Sequence, residues 1–462
     1  MSIPSGFFSR VAGIVGDPFV LHDAVALESY GADALKQGTP ADLVALPGST
    51  REIAALAALC NAERVPMVVR GGGTGYTGGA VPTHGGLVIA LERLNRILEI
   101  DPLNLLARVQ PNVITADLQD AVEQVGLFYP PDPASSRQST LGGNVAECAG
   151  GPRAFKYGTT KRYVLALEAV LPTGEIIHTG SKAVKNVVGY DLTQLLVGSE
   201  GTLAIIAEIT LRLIPKPAAR ATLLAEFADI SRAVEAVTKL IERRVVPAAV
   251  EIVDGDSLKA LAEHAGRPIA AARAGAVLIV EVDGPAEAVG PELSLVEDAC
   301  RAADAIAVRR AASEAERQEI WYLRRELSAA LKKISTVKLN NDVVVPRGRV
   351  PELFTLVKEI QRECGLPIAS FGHAGDGNIH VNIMPPPGDA EAMARARAAE
   401  LKLFKGVVAL EGSISGEHGI GFTKAPYLGL ELSPDEIALM KRVKAAFDPR
   451  GVLNPGKIFP DG

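Results

Sequence analysis

The chain has 462 residues, 48% of them hydrophobic and 22% charged, so it can bury a large core and is long enough for two large domains or about three smaller ones. The net charge of -6 and the isoelectric point near 5.8 argue against a nucleic-acid-binding surface, which would be basic. No apolar run reaches about 18 residues, and the first residues, MSIPSGFFSRVAGIVG, lack the apolar core of a signal peptide, so we expect neither a transmembrane helix nor a leader.

The predicted elements begin with a short helical lead-in, residues 1–37. From Thr39 onward the pattern becomes α/β. The stretch ADLVALPGS predicts a strand and a turn, and TREIAALAALCNAERV predicts an amphipathic helix with Ser49 or Thr50 as its N-cap. A short buried strand is predicted at Val65–Val69, and it leads into a loop that is rich in glycine.

The glycine-rich loop lies in VVRGGGTGYTGGAV and has the spacing Gly73-x-Gly75-x-x-Gly78. In a dinucleotide-binding fingerprint this spacing opens a helix. Here the next residues, AVPTHGG, contain proline and more glycine and lead into another strand at Leu87–Leu91, which disfavours a nicotinamide site of the usual kind. Glycine amides can still surround an anion, so we interpret the loop as a diphosphate cradle. A simple surface loop is the alternative, and the loop alone does not decide between them.

Strands and helices alternate through the rest of the chain. Strands predicted at LLARVQP and VLALEAVLPTGEII flank a helix, TADLQDAVEQVG, that ends at Gly126. A further strand, LAIIAEITLRLIPKP, ends at Pro215 and Pro217, where we place a domain boundary. Beyond it TLLAEF, PAAVEIVDG and GAVLIVEVDG alternate with helices, the first at Ile230–Arg244, which predicts an antiparallel sheet with helices. Helices are also predicted at 311–333.

Three of the seven histidines lie in glycine-rich segments near the C-terminus: His373 and His380 in FGHAGDGNIHVNIM, and His418 in SGEHGIG. A turn between His373 and His380 can bring both imidazoles onto one metal ion, with Glu417 as an oxygen ligand. The alternative is two turn histidines hydrogen-bonded to the backbone. His418 and Glu417 are neighbours and are expected to point in different directions. His418 is therefore a candidate general base, with a supporting, non-catalytic histidine as the alternative.

The segment EIWYLRRELSAALKKISTVK places Arg324 and Ser328 four residues apart on one predicted helical face. An arginine there can bind a carboxylate through two hydrogen bonds, although a solvated or snorkelled arginine is the more common outcome. Two other stretches, STLGGNVAECAGG and VGSEGTLAII, place small residues at separate sites in the first domain. A mononucleotide would need one such site, whereas FAD would need several.

Together these motifs resemble a known family. RGGGTGYTGGAV, PPDPAS, TLGGNVAECAGGPRAFKYG, VGSEGTLAII, GHAGDGNIH, GEHGIG and FDPRGVLNPGKIF occur in the order found in the FAD-linked oxidases of the vanillyl-alcohol oxidase / p-cresol methylhydroxylase superfamily. Within it the chain is most similar to the branch of D-lactate, glycolate and D-2-hydroxyglutarate dehydrogenases, and especially to the flavin subunit of bacterial glycolate oxidase. The resemblance covers nearly the whole chain after Gly38.

The resemblance implies an α+β fold in three parts. These are the lead-in (1–37), an FAD-binding domain of the p-cresol methylhydroxylase (PCMH) type made of two α/β subdomains (38–217), and a C-terminal cap and substrate domain with an antiparallel sheet and helices (218–462). It also implies the residues that contact FAD, which are Arg70, Gly71, Gly72, Gly73, Thr74, Gly75, Thr77, Gly78, Pro131, Thr140, Gly142, Gly143, Asn144, Glu200, Gly201, Ile206 and Asn454.

The resemblance further implies a metal-assisted oxidation. In relatives that oxidise D-2-hydroxy acids, the residues matching His373, His380 and Glu417 hold a divalent ion such as Zn, Fe or Mn, and the residue matching His418 acts as the base. A 2-hydroxy acid of the glycolate or D-lactate type would be oxidised to the 2-oxo acid, with hydride passing to flavin N5.

Three residues are implied for substrate binding. Arg324 would bind the substrate carboxylate and so take part in catalysis, and Ser328 and Lys338 would add contacts, although KLNNDVVVP aligns with the family only with a gap. Relatives with covalent flavin use a histidine that has no clear counterpart here, and His84 lies past the glycine loop, so we expect FAD to be bound non-covalently.

The electrons must then leave the chain. Its four cysteines form no C-x-x-C pair and fit no zinc or iron–sulfur framework, which favours a reducing, cytoplasmic compartment. We therefore expect an external acceptor: an iron–sulfur subunit together with a second flavin subunit, an electron-transfer flavoprotein, a quinone or a dye. A complex of this kind could hold the protein peripherally at the inner face of the membrane. A stand-alone enzyme is the alternative.

Other functions stay open. A D-2-hydroxyglutarate dehydrogenase and an enzyme similar to alkylglycerone-phosphate synthase would carry similar histidine segments. A non-catalytic flavin-binding subunit that serves as a scaffold is disfavoured, because a shorter related subunit of that kind lacks those segments. The sequence does not distinguish glycolate from D-lactate or larger D-2-hydroxy acids.

Overall fold

The structure, a computed structural model, describes residues 3–459 and divides into two units. Unit 1 comprises Met1–Gly150, Thr159–Lys216 and Glu417–Gly462, and unit 2 comprises Gly151–Gly158 and Pro217–Gly416. The division at Lys216/Pro217 lies one residue from the predicted boundary. By its contacts the lead-in is part of unit 1, and so is the segment Glu417–Gly462, which follows unit 2 in the chain.

The first sheet of unit 1 has the strand order β1-β2-β4-β3. Its strands β2, β4 and β3 are parallel, and β1 pairs antiparallel with β2. The strands β3 and β4 are short apolar runs, as expected for a parallel sheet covered by helices. This part of the chain contains α1 (Phe7–Val15), β1 (Val20–Leu21), α2 (Ala24–Tyr30), β2 (Leu43–Ala45), α3 (Thr50–Glu63), β3 (Met67–Arg70) and β4 (Leu87–Ala90).

Two local predictions are confirmed in this sheet. The Ser49 side chain accepts a hydrogen bond from the amide of Glu52 at 3.2 Å and so caps α3. Every residue between β3 and β4 is described, and none of them is helical. The glycine loop therefore joins strand to strand.

The lead-in packs into the core of the first sheet. Phe7 and Val11 of α1 are fully buried in one cluster with Ile53, Leu56 and Met67. The strand β1 extends the sheet itself. The lead-in is thus part of the first layer of unit 1, because its apolar helix face has no other core in which to be buried.

The second sheet of unit 1 is antiparallel, with the order β5-β6-β10-β8-β9, and a two-stranded sheet pairs β7 with β11. The predicted strand VLALEAVLPTGEII is in fact a hairpin of two strands, and β5 was not predicted. This part contains β5 (Ile97–Asp101), β6 (Leu106–Val109), α4 (Thr115–Glu123), β7 (Leu127–Phe128), α5 (Leu141–Glu147), α6 (Ala154–Tyr157, in unit 2), β8 (Val164–Val170), β9 (Ile176–Gly180), α7 (Leu192–Leu196), β10 (Ile205–Arg212) and β11 (Ile214–Pro215).

Unit 2 is built on a seven-stranded antiparallel sheet with the order β15-β12-β14-β13-β17-β18-β16, which confirms the predicted antiparallel sheet. Helices α9 and α11 cover an apolar part of one face, where Leu224, Val253, Ile279 and Phe371 pack against Leu327. The elements are β12 (Ala219–Phe227), α8 (Ile230–Glu242), β13 (Ala249–Asp254), α9 (Gly255–Ala265), β14 (Ala276–Gly284), α10 (Ala286–Ala302), β15 (Ala307–Arg310), α11 (Glu314–Leu331), β16 (Leu339–Val344), α12 (Val350–Cys364), β17 (Ile368–His373), β18 (Asn378–Ile383) and α13 (Ala390–Ala409).

The last segment returns to the first sheet of unit 1. After α14 (Pro434–Phe447), Leu453 forms a parallel bridge to Met67 of β3, and the amide of Asn454 donates to the Met67 carbonyl at 2.7 Å. These main-chain bonds explain why Glu417–Gly462 belong to unit 1. Short 3₁₀ helices lie at Asp17–Phe19, Thr160–Arg162, Arg347–Arg349 and Ala425–Leu430. Among residues 3–459, no helix combines the length and apolarity needed to cross a membrane.

Candidate functional site

The glycine loop after β3 lies directly against the residues that precede α5. A Cβ atom at Gly71 would collide with the Thr140 hydroxyl, and one at Gly72 would collide with the Gln138 carbonyl oxygen. The missing side chains therefore allow this close approach of two backbones. Gly71, Gly72 and Thr140, all predicted to contact the cofactor, are adjacent in unit 1.

The base of the loop is fixed by the lead-in. The Arg70 guanidinium donates to the Ala32 carbonyl at 2.5 Å and lies 5.6 Å from the centre of the Tyr30 ring. The Asp33 carboxyl accepts a hydrogen bond from the Gly78 amide at 3.0 Å, and burial raises its pKa. The loop thus binds an acidic group of the chain itself. The Gly78 amide already donates to Asp33, so a contact between this amide and the diphosphate of FAD stays a prediction.

Asn454 joins two of the predicted cofactor segments. Its side-chain amide donates to the carbonyl oxygens of Gly79 and Glu200, each at 2.9 Å. The Glu200 carboxyl accepts hydrogen bonds from the amides of Ile420 at 2.8 Å and Gly421 at 2.7 Å. The C-terminal segment therefore closes against the end of the glycine loop, as the predicted role of Asn454 requires.

The other predicted cofactor residues also belong to unit 1. The Asn144 amide donates to the Thr115 hydroxyl at 2.7 Å, and the Pro131 carbonyl accepts from Gln119 at 2.8 Å. The remaining residues lie in the glycine loop (Gly73, Thr74, Gly75, Thr77), on α5 (Gly142, Gly143), in the turn after α7 (Gly201) and on β10 (Ile206).

His418 is anchored to the glycine loop. The Thr77 hydroxyl donates to the His418 carbonyl at 3.0 Å, and the His418 ring lies 5.5 Å from the Tyr76 ring. The Nε2 atom of His418 is 3.9 Å from the Glu417 carboxylate. The expectation that these two neighbours point in different directions is therefore wrong.

Glu147, at the end of α5, is a buried carboxyl that the sequence analysis missed. Its Oε2 atom has no hydrogen-bond partner within residues 3–459. Burial raises the pKa of Glu147 well above its ordinary value, and the nearby Glu200 and Asp33 raise it further. The sequence GGNVAECAGG gave no sign that this glutamate is buried, because helical spacing alone does not distinguish an exposed glutamate from a buried one.

In unit 2, the strand register places four polar side chains on one face of the sheet. Glu251 of β13 pairs with His373 of β17, Phe371 pairs with His380 of β18, and His380 pairs with Asp342 of β16. Directly paired residues point to the same side, as do residues two apart on one strand. Glu251, His373, His380 and Asp342 therefore share the face that α9 and α11 cover in part.

The two histidines are brought together as predicted from their spacing. Their rings meet edge to face with centres 5.4 Å apart, and the residues are only 4% and 6% exposed. The Nδ1 of His373 donates to Glu251 at 2.5 Å, and the Nδ1 of His380 lies 3.5 Å from Asp342. Two imidazoles with carboxylates beside them are a donor set that suits a divalent transition metal.

Arg324 of α11 points onto the same face. Its Nε donates to the second Glu251 oxygen, and its guanidinium lies 4.8 Å from the centre of the Phe371 ring. Arg324 is only 7% exposed, so a solvated or snorkelled arginine is excluded. Burial raises the pKa of Glu251, but Arg324 and His373 outweigh it and hold that pKa below its ordinary value.

The other two predicted substrate residues are in contact with each other. The Lys338 ammonium donates to the Ser328 hydroxyl at 3.2 Å. Burial lowers the pKa of Lys338 to about 8, with a smaller contribution from Lys332. Ser328 lies one turn after Arg324 on α11, so unit 2 holds all three residues near one helix.

Glu251 and Asp342 are the polar residues of this face that the sequence analysis missed. A signal existed, because Glu251 is an acidic residue inside the apolar strand AVEIVD, which ends at Asp254, and Asp342 is the single acidic residue of LNNDVV. A buried charge is costly unless it is paired, so an acidic residue at an inward strand position indicates a buried cation or a metal ligand nearby.

Comparisons with known proteins identify both parts of the chain. Residues 41–180 match an FAD binding domain, and residues 216–458 match the C-terminal domain of FAD linked oxidases. The chain is 44% identical over 433 residues to the glycolate oxidase subunit GlcD of Bacillus subtilis, covering 93% of this chain and 91% of that protein. It is 36% identical over 419 residues to a D-lactate dehydrogenase of Anaerostipes hadrus, covering 89% and 88%.

The fold agrees with these matches. A crystal structure of p-cresol methylhydroxylase with substrate bound superimposes with a TM-score of 0.82 at 16% identity, covering 99% of this chain and 98% of that one. At this identity the similarity concerns the fold alone, and it confirms the predicted α+β fold with a PCMH-type domain. The two domain matches and the relatives that span most of the chain lead to one conclusion: the protein belongs to the FAD-linked oxidases.

Proposed function

We propose that the protein oxidises a small 2-hydroxy acid of the glycolate or D-lactate type to the corresponding 2-oxo acid. The observation that carries this proposal is the sheet face of unit 2, where buried Arg324 lies beside the His373–His380 pair. A cation for a carboxylate and a metal-binding pair for an adjacent hydroxyl are what a 2-hydroxy acid requires. The similarity to a glycolate oxidase subunit and to a D-lactate dehydrogenase supports the same substrate class.

The proposed metal ligands are His373, His380 and Glu417, with Zn, Fe or Mn as the ion. The edge-to-face imidazoles in unit 2 support the first two. Glu417 follows Gly416 in the chain, and the Gly416 amide donates to Asp342 at 3.0 Å. Replacing His373 with Ala should empty the site, and unchanged metal content measured by inductively coupled plasma mass spectrometry would refute the assignment.

The substrate carboxylate is assigned to Arg324. Among residues 3–459 only the Nε of this guanidinium forms a hydrogen bond, so its two terminal amino groups can bind a carboxylate. Ser328 and Lys338 would contribute a hydroxyl and a second cation. The apolar residues around Arg324 exclude water and strengthen its interaction with an anion.

His418 is the proposed base that takes the hydroxyl proton of the substrate. Its carbonyl is held by Thr77 of the glycine loop, and its Nε2 lies 3.9 Å from the Glu417 carboxylate. FAD, bound non-covalently by the predicted residues of unit 1, supplies the hydride acceptor. The close packing of Gly71 and Gly72 against residues 138–140 supports a backbone-built site for its diphosphate.

The electrons would pass to a partner protein or a quinone. The name of the relative from Bacillus subtilis, a glycolate oxidase subunit, supports a complex with further subunits. We propose an iron–sulfur subunit and a second flavin subunit, or an electron-transfer flavoprotein, as partners. A cytoplasmic location, with peripheral attachment to the membrane through such a complex, belongs to the same proposal.

A D-2-hydroxyglutarate-type dehydrogenase is the second candidate. One observation favours it. Lys338 provides a second partly buried cation, which donates to Ser328, and Ser328 lies one helical turn after Arg324. A substrate with two carboxylates could use both cations. The remaining alternative, an enzyme similar to alkylglycerone-phosphate synthase, is not favoured by any of the residues described on the sheet face of unit 2.

Anaerobic bleaching of the flavin absorbance tests the proposal directly. Glycolate, D-lactate, L-lactate, D-2-hydroxyglutarate and D-malate are mixed in turn with the purified yellow protein. Fast bleaching by glycolate or D-lactate supports the proposed function, and bleaching by D-2-hydroxyglutarate alone supports the second candidate. A yellow protein that none of the acids bleaches contradicts both, and a colourless protein that does not rebind FAD contradicts the proposed cofactor site.

A further inference from the structure

We propose that Glu251 is a positioning residue that couples substrate binding to metal binding, because one of its carboxylate oxygens holds Arg324 and the other holds His373. This inference rests on the proposed function, since it takes Arg324 as the substrate ligand and His373 as a metal ligand. It goes beyond that function by assigning a role to a residue that is neither a proposed substrate ligand nor a proposed metal ligand.

The contacts of Glu251 are divided between its two oxygens. Oε1 accepts from the Nδ1 of His373 at 2.5 Å, and Oε2 accepts from the Nε of Arg324. The residue is completely buried near the middle of the seven-stranded sheet, and its main chain is paired on both sides, with β14 and β17. The carboxylate therefore cannot turn toward one partner without releasing the other.

For His373 the contact selects one form of the ring. The carboxylate can only accept, so Nδ1 must carry a proton, and the lone pair of the neutral imidazole then lies on Nε2. A histidine that binds a metal through one nitrogen commonly donates from the other to a carboxylate, which fixes the ring and raises its basicity. Glu251 provides this arrangement.

For Arg324 the contact fixes the direction of the guanidinium. Its Nε is held by Glu251, and its guanidinium carbon lies 4.8 Å from the centre of the Phe371 ring. The two terminal amino groups are then oriented as a pair, ready for two parallel hydrogen bonds to a carboxylate. One carboxylate thus sets the position of both groups that the proposed substrate needs.

The same sheet face contains a matched arrangement without a histidine. Glu281 of the neighbouring strand β14 accepts from Arg317 at 3.1 Å, Trp321 at 2.8 Å and Thr222 at 2.7 Å. Arg317 lies two turns before Arg324 on α11. Both glutamates tie the same helix to the same sheet, so a purely structural role would be common to both. Only Glu251 also reaches a proposed metal ligand.

The test compares Glu251→Gln with Glu281→Gln. If the oxygen of the new side-chain amide accepts from Arg324, the amide nitrogen must donate to Nδ1 of His373, which forces the proton onto Nε2 and blocks metal binding. We expect Glu251→Gln to bind Zn²⁺ or Co²⁺ about 10- to 100-fold more weakly than wild type, to change the Co²⁺ absorption spectrum and to raise KM more than it lowers kcat. Glu281→Gln should lose thermal stability but keep wild-type metal affinity and KM.

A second variant covers the case in which Glu251→Gln does not fold. Glu251→Met combined with Arg324→Met replaces the buried ion pair with apolar side chains, a change that proteins commonly tolerate. It leaves Nδ1 of His373 without its acceptor, so metal affinity measured by calorimetry on the metal-free protein should still fall by about 10- to 100-fold. Affinity within twofold of wild type in either variant, or an equal loss in Glu281→Gln, overturns the inference. A wild-type protein that binds neither ion, or whose flavin no 2-hydroxy acid reduces, instead contradicts the proposed function itself.

Discussion

The glycine loop of unit 1 and the sheet face of unit 2 prepare binding surfaces in opposite ways. The loop removes side chains, so that backbone groups lie against backbone groups, as Gly71 and Gly72 do against residues 138–140. The sheet face concentrates side chains and pairs each charge with another, as Glu251 does with Arg324 and His373. A backbone-built surface should therefore be sensitive to an added methyl group, and a side-chain-built surface to a removed charge.

The largest effect is expected from the loss of the proposed base, His418, whose main chain is held by the glycine loop. Replacing His418 with Ala should slow flavin reduction by the substrate by about 10²- to 10⁴-fold, because the hydroxyl proton loses its acceptor. FAD should stay bound, since the Thr77 hydroxyl contacts the His418 main chain and this contact survives the change. Stopped-flow absorbance measures the rate, and exposed His178 replaced with Ala is the control. An unchanged rate would exclude His418 as the base.

Removing one charge from the sheet face should lower the free energy of unfolding more than removing one from the protein surface. Arg324→Met leaves the buried Glu251 carboxylate without its cation, which typically costs about 3–5 kcal/mol of unfolding free energy. Urea unfolding followed by circular dichroism measures the loss. The control is Arg309→Met, an exposed arginine on β15 that should change stability by less than about 0.5 kcal/mol. Equal stabilities of the two variants would contradict the importance of charge pairing on this face.

Adding a methyl group to the glycine loop should weaken FAD binding. In Gly72→Ala the new Cβ meets the Gln138 carbonyl oxygen, and overpacking of this kind costs about 1–3 kcal/mol. Equilibrium titration of the FAD-free protein, followed by flavin fluorescence, measures the affinity. Gly13→Ala in α1 is a matched control, because a Cβ there meets nothing within 4 Å. If both variants bind FAD equally well, this loop does not form the cofactor site.

The smallest effect concerns pH. Burial lowers the pKa of Lys338 to about 8, so its ammonium is charged below that pH and neutral above it. If Lys338 helps to bind the substrate anion, KM should rise about tenfold between pH 7 and pH 9 as the cation is lost. Lys338→Arg, whose side chain stays charged, should remove most of this rise. A KM that is constant over this range in wild type would argue against a substrate contact.

The same contrast separates what the sequence could predict from what it could not. The glycine loop and the His373–His380 pair were predicted because their parts lie within a few residues of one another, with Pro82 and the Gly375–Gly377 turn setting the chain direction. Glu251 was not predicted, because its partners Arg324 and His373 are 73 and 122 residues away. Pairing over such distances depends on strand order, which local patterns do not determine.

The contacts made by the two ends of the chain could not be predicted for a similar reason. The lead-in resembled a separate helical segment, yet its helix α1 buries Phe7 and Val11 in the first sheet. The final residues were assigned to the C-terminal domain on the resemblance to the family. Their main-chain bonds to Met67 place them in unit 1, and only Asn454 had indicated this return.

The bridge between Leu453 and Met67 has a consequence for synthesis in the cell. The β3 strand leaves the ribosome early, but the residues that cover its edge leave only after the whole of unit 2. The seven-stranded sheet, whose strands lie between residues 219 and 383, can form while translation continues, whereas β3 still lacks its bridge to Leu453. Asn454, which closes the glycine loop at Gly79, is also made after unit 2. We therefore expect a chain terminated before Leu453 to capture FAD poorly and to be more open to proteolysis.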